Sequence, residues 1–228
     1  MLSIKPIIRF SMQIGLEMSV SLSPSVIEDV CYSIFVEFSK SATVSVSKPS
    51  CIRAIVYGPM FELRFFARPA TGEALVTIYS FCENPSSSRQ GISKLLEVFR
   101  SFSKICRSYV LEMGEVKVFT KVVATLPKEM ASRSIKVLSD GFGASLRIAE
   151  FRDLDDSSIR VFTGYIPRSG NLASVYARLV IVERSGSYAT ISVTLEAYAK
   201  ADSCRDVEEK VYGLVGLSKA LMDAVAME

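Results

Sequence analysis

Two stretches of the chain repeat one another, half a chain apart. Ile52-Arg53-Ala54-Ile55-Val56-Tyr57-Gly58-Pro59 matches Ile159-Arg160-Val161-Phe162-Thr163-Gly164-Tyr165-Ile166-Pro167, and upstream Ser21-Leu22-Ser23-Pro24 matches Ala124-Thr125-Leu126-Pro127 in the same order. Two anchors in the same order point to an internal duplication with loop insertions, which constrains the chain to build the same unit twice.

Both halves read in the same order of elements. Residues 13–22 and 115–126 are rich in β-branched and apolar residues and open each half as strands. Each runs into a proline suited to a first helical turn, Pro24 behind Ser23 and Pro127 behind Leu126. Ile27, Val30, Ile34 and Phe38 then recur at helical spacing, with a weaker set at Met130, Ile135 and Leu138 closed by Gly141 as a C′ residue. Strands are expected at 43–47, 51–57, 61–67 and 73–81, and again at 143–151, 158–165, 173–183 and 188–199. Short connections at Gly58-Pro59, 69–72, 153–158 and 184–187 favour antiparallel hairpins. A long amphipathic helix closes each half. Its stripe is Ile92, Leu95, Leu96, Phe99, Phe102 and Cys106 in the first, and Val207, Val211, Leu214, Leu221 and Val225 behind the capping box 203–206 in the second.

The expected fold class is therefore α+β. Two tandem β-α-β-β-β-β-α halves, 1–112 and 113–228, carry antiparallel sheets with helices packed on one face, either side by side or joined in one sheet. This order is similar to that of the tandem repeats of the TATA-binding protein, in which two such halves fuse into one curved sheet. The resemblance is one of element order, with no residue motif behind it, and implies no function.

Composition removes several chemistries. The 228 residues contain no histidine, which excludes Ser-His-Asp and Cys-His catalysis and histidine-ligated zinc. Cys31, Cys51, Cys82, Cys106 and Cys204 are scattered, with no C-x-x-C pair, and read as reduced, mostly buried thiols of a cytoplasmic protein. Asparagine occurs only at 84 and 171 and glutamine only at 13 and 90, a thermophile-like depletion. Lys5 and Arg9 interrupt the apolar N-terminal residues, and no uninterrupted apolar run approaches a span, so neither a signal peptide nor a membrane partner is expected.

No glycine-rich phosphate loop is present: Gly141-Phe142-Gly143 and Ser169-Gly170 lack the required spacing. Asp153, Asp155 and Asp156 sit at a hairpin connection and read as turn chemistry rather than a cation site. Ser45 with Lys48 and Ser101 with Lys104 match Ser-x-x-Lys, a pattern that the abundance of serine and lysine produces by chance. No catalytic residue, metal or cofactor is expected.

What remains is a pattern of faces. Alternation places Arg53, Ile55 and Tyr57, then Glu62, Arg64, Phe66 and Arg68, opposite the apolar positions of their strands, with Arg147, Arg160, Phe162, Tyr176 and Arg178 doing the same in the second half and Lys117, Phe119 and Lys121 on its opening strand. Basic groups interleaved with aromatics suit nucleic acid, since the former neutralise phosphates and the latter stack on bases. The first expectation is thus a non-enzymatic intracellular binding module holding nucleic acid through Arg53, Tyr57, Arg64, Phe66, Arg68, Arg147, Arg160, Phe162 and Arg178. It fails if Arg64 and Arg160 are buried in intramolecular ion pairs. The net charge of only +3 supplies little long-range drive toward phosphate. The alternative is an assembly or scaffolding protein whose sheet face or edge meets itself or a protein partner, because aromatics and arginine also mark protein contacts and the mean hydropathy of +0.30 implies apolar surface in need of cover. A small apolar ligand between sheet and helices is the third reading.

Overall fold

A computed structural model describes residues 9–47, 52–83 and 87–226. The stretch 1–8, Lys48, Cys51 and Asn84, on which parts of the sequence reading fall, lie outside them.

The chain folds as α+β in two successive halves with the expected element order. The first comprises β1 (Arg9–Ser21), a 3-10 turn at Pro24–Val26, α1 (Ile27–Phe38), β2 (Thr43–Ser47), β3 (Ile52–Gly58), β4 (Phe61–Arg68), β5 (Glu73–Cys82) and α2 (Ser88–Ser108). The second comprises β6 (Glu112–Pro127), α3 (Lys128–Lys136) with a π turn at Val137–Gly141, β7 (Ser145–Leu154), β8 (Ser157–Ser169), β9 (Leu172–Arg184), β10 (Tyr188–Ala199) and α4 (Cys204–Ala226). Pro24 begins the turn that leads into α1, where its missing N–H costs nothing. Ser203 caps α4, its Oγ accepting from the Asp206 N–H at 3.3 Å. Gly141 is not the left-handed residue expected after the third helix; a π turn carries the chain past it, and Gly143 takes φ 63° instead.

All ten strands of the described residues form one antiparallel sheet in the order β2-β3-β4-β5-β1-β6-β10-β9-β8-β7. The opening strands of the two halves meet in the middle, β1 against β6 from Arg9↔Thr125 to Ser21↔Glu112, with one bulge between Met18 and Val20. The halves are thereby continuous, and the second runs outward from the seam in the mirrored order of the first.

The four helices lie on one face. Met12, Ile14, Leu16 and Met18 of β1 point into them, as do Leu63 and Phe65 of β4 and Val116 and Val118 of β6, all buried. From the helix layer, Ile27, Val30 and Ile34 of α1, Leu95, Phe99 and Phe102 of α2, and Val207, Val211 and Leu214 of α4 close onto the same core. Phe65 and Phe102 meet with ring centroids 6.4 Å apart. Polar contacts tie the helices in place: Thr120 Oγ1 of β6 and Ser218 Oγ of α4 lie 2.6 Å apart and buried, Ser33 and Tyr109 hydroxyls 2.8 Å apart, and Arg100 meets Glu208 across α2 and α4 at 2.9 Å.

Among the described residues, no helix covers the other face. The strand register decides which side chains stand on it, and it corrects two positions read from local alternation. Phe162 pairs with Leu179 and Arg160 with Ile181, both core-facing, so Arg160 and Phe162 point toward the helices.

Candidate functional site: the uncovered sheet face

In the first half the uncovered face is built from β3, β4, β5 and the seam strands. Arg53 lies over the Phe66 ring at 5.6 Å and Arg64 over the Tyr79 ring at 5.6 Å. The cross-strand register Arg53↔Phe66 accounts for the first contact, and Arg64 reaches one row diagonally for the second. Tyr79 meets Phe119 edge to face at 5.9 Å, which carries the aromatic row across the β1–β6 seam. Tyr57, Leu75 and Phe81 surround this row and are exposed.

The polar groups there are engaged with one another. Glu62 stands on the uncovered face between its register neighbours Tyr57 and Tyr79, yet is only 7% exposed. A carboxylate so desolvated needs a partner. Arg64 supplies it, its Nε donating to Glu62 Oε1 at 2.5 Å, and that bond raises the already high guanidinium pKa against the opposing effect of burial. Lys117 follows the same logic: burial works to lower its pKa, but its bond to Glu196 at 3.0 Å and the nearby Glu17 outweigh that and leave it raised. Arg68 is exposed at the end of β4 opposite Glu73.

The second half carries a looser surface. Tyr165 and Tyr176 pair edge to face at 5.6 Å, Val161 faces Val180, and Tyr188 and Tyr198 stand exposed on β10. Arg147 and Arg178 are exposed on this face in one cross-strand row through Thr163.

These placements overturn the nucleic-acid reading. Arg64 is held by Glu62, and Arg160, half-buried on the opposite side of the sheet, is held by Glu183. Arg53 is stacked on Phe66. Phe162 is buried under the helices. Arg53, Tyr57, Arg64, Phe66 and Arg68 do form one patch, but Arg147 and Arg178 lie at the far end. From β4 to β9 is five strand spacings, about 24 Å at roughly 4.8 Å each. A set of side chains divided between two faces, with Arg64 and Arg160 held by internal carboxylates, is not a phosphate track. Local alternation put Phe119 on this face but missed Tyr79, Phe81 and Leu75 as members of the same surface, because only strand order brings β5 and β6 to either side of β1.

Elsewhere the described residues offer little reactive chemistry. Cys31, Cys82 and Cys106 are buried, and burial pushes the Cys106 thiol up to about 12. Cys204 is the partly accessible thiol, in a cleft of about 570 Å³ between the end of α2, the start of β6 and the start of α4, lined also by Ser103, Arg107, Glu112, Lys200 and Asp202. Ser103 Oγ is buried there with no hydrogen-bond partner among the described residues. No group of three or more Cys, Asp or Glu side chains among them is placed to hold a metal ion. No helix there is long and apolar enough to cross a membrane.

No family model matches the sequence, and no curated protein does. Among solved structures, the chain is similar to the di-domain ARO/CYC BexL from the BE-7585A biosynthetic pathway, at 10% identity and TM-score 0.28 over 93% of this chain and 97% of that one. It is also similar to the di-domain ARO/CYC StfQ from the steffimycin biosynthetic pathway, at 6% identity and TM-score 0.27 over 93% and 96%. Likeness at this level carries no argument about activity.

Proposed function

We propose that this chain is a protein-assembly module that docks a protein partner on the uncovered face of its ten-stranded sheet. One observation carries the reading: Tyr57, Leu75, Phe81, Tyr165, Tyr188 and Tyr198 are all exposed, and all stand on that one face. These six large apolar or amphipathic side chains stand on the side of the sheet that no described helix covers, in a first-half group (Tyr57, Leu75, Phe81) and a second-half group (Tyr165, Tyr188, Tyr198), and exposed apolar surface of this kind marks interaction sites. Within the first-half group the Phe66 and Tyr79 rings are already held by Arg53 and Arg64, the latter fixed by Glu62, so little of their side-chain entropy is lost on docking. Buried anchors of Tyr, Phe and Arg type are what protein interfaces enrich.

The test compares proteins recovered from native lysate by the wild type, by Leu75→Lys/Phe81→Lys on the sheet face, and by Tyr32→Lys/Phe35→Lys on the exposed side of α1. A partner retained by the wild type and the α1 variant but lost by the sheet variant supports the reading. Equal recovery by the wild type and both variants counts against it.

A second reading has a separate observation in its favour. The buried, unpartnered Ser103 hydroxyl beside the 570 Å³ cleft is the sort of group that a small ligand satisfies. Cys204→Trp would fill that cleft; thermal stabilisation by small-molecule probes that Cys204→Trp abolishes would favour this second reading over the first.

A further inference from the structure

The two ends of the sheet are finished differently. At the first-half end, α1 lies over β3 and β2, and Val44 of β2 packs against the core beneath it. At the second-half end, α3 packs over β6, β9 and β10, and β7 is touched by the π turn at its beginning. The helix side of β7 is consequently bare: Ile148 is 69% exposed and Phe151 61%. β7 also has ten residues against five in β2, and among the described residues bonds only to β8. Its outer row of N–H and C=O groups is therefore a template for another strand.

The sequence of that edge selects its own partner. Glu150 and Arg152 flank Phe151 on the uncovered-face side and pair with each other along the strand. If a second β7 runs antiparallel beside the first with Phe151 on the two-fold axis, Glu150 stands opposite the partner's Arg152, and Arg152 opposite the partner's Glu150. The four charges alternate in sign on one side, while the two Phe151 rings meet on the other. The β2 edge, Thr43-Val44-Ser45-Val46-Ser47, has no charge to answer Glu150 and Arg152, so head-to-tail growth is not matched and the contact closes on itself.

We infer that β7 pairs with β7 of a second copy of this chain, extending two ten-stranded sheets into one across a two-fold axis at Phe151. This inference does not rest on the sheet-face reading. It is tested by light scattering of the full chain across a dilution series. A dimer is expected, with its dissociation constant raised tenfold or more by Glu150→Arg alone or Arg152→Glu alone, each of which sets like charges opposite across the axis, and restored to within about threefold by Glu150→Arg/Arg152→Glu together. Should a charge variant misfold, Phe151→Cys in a Cys204→Ser background decides: a disulfide-linked dimer forms under mild oxidation if residue 151 meets its own copy. A monomer at every concentration overturns the inference, and so does a dimer that neither charge reversal weakens. A dimer broken by Leu75→Lys/Phe81→Lys and not by the β7 changes would assign self-association to the sheet face instead.

Discussion

The Phe119 ring lies directly over Gly15, its register partner across the seam between the two halves; a Cβ on residue 15 would stand 2.2 Å from the ring. The glycine is required by close approach. With no side chain there, Phe119 covers the backbone of β1 and turns its edge to Tyr79. Gly15→Ala is expected to displace the ring, cost about 1–3 kcal/mol through overpacking and weaken binding through the sheet face. Denaturant unfolding reads the first effect. Gly15→Ala/Phe119→Ala should recover part of the stability without recovering the binding.

Val110 ends α2 in the left-handed region at φ 54°, with 90% of its side chain exposed. The Leu111 N–H donates to the Cys106 carbonyl at 2.9 Å and the Val110 N–H to the Arg107 carbonyl at 3.2 Å, the paired bonds of a Schellman ending. A β-branched residue is strained at that C′ position. Val110→Gly should therefore stabilise the fold by about 0.5–1 kcal/mol net of the extra chain entropy glycine brings, seen as a higher denaturant midpoint at unchanged slope.

Thr120 and Ser218 share one buried hydrogen bond between sheet and helix. Thr120→Val leaves the Ser218 hydroxyl buried and unpaired, at a cost of about 1–3 kcal/mol. Ser218→Ala strands Thr120 in the same way. The double change should cost less than the sum of the two, and the coupling read from a double-mutant cycle measures the bond between β6 and α4.

Alkaline conditions should loosen the core at Cys106. Its folded pKa is raised from the ordinary 9.0 to about 12 by burial, so the folded state holds a proton that the unfolded state releases. The stability this proton represents is complete below pH 9 and falls as pH rises toward 12, by about 1.4 kcal/mol per pH unit. Chemical denaturation at stepped pH checks the slope. Cys106→Ala should be less stable at neutral pH and show a shallower decline in that window.

Much of the architecture was legible from residue order. The order of elements in each half, the prolines at 24 and 127, and the apolar stripes of α1, α2 and α4 depend on interactions within a turn or two of chain, where period and turn chemistry decide. The candidate site was legible only in part. Arg53, Tyr57, Arg64, Phe66 and Arg68 stand on the uncovered face because β3 and β4 form a regular hairpin whose alternation runs unbroken.

Sequence alone determined the α+β class, the two-half order of elements and the absence of histidine chemistry, since each follows from local periodicity or from composition. Tertiary structure decided the rest. Joining β1 to β6 placed Phe119 beside Tyr79, and the register of β8 turned Arg160 and Phe162 toward the helices. The ion pair with Glu62 committed Arg64 to an internal partner, and the placement of α3 left the β7 edge bare. Each of these depends on which strand lies beside which and in what register, a choice set by burying one continuous core from both halves at once, and no single segment encodes it.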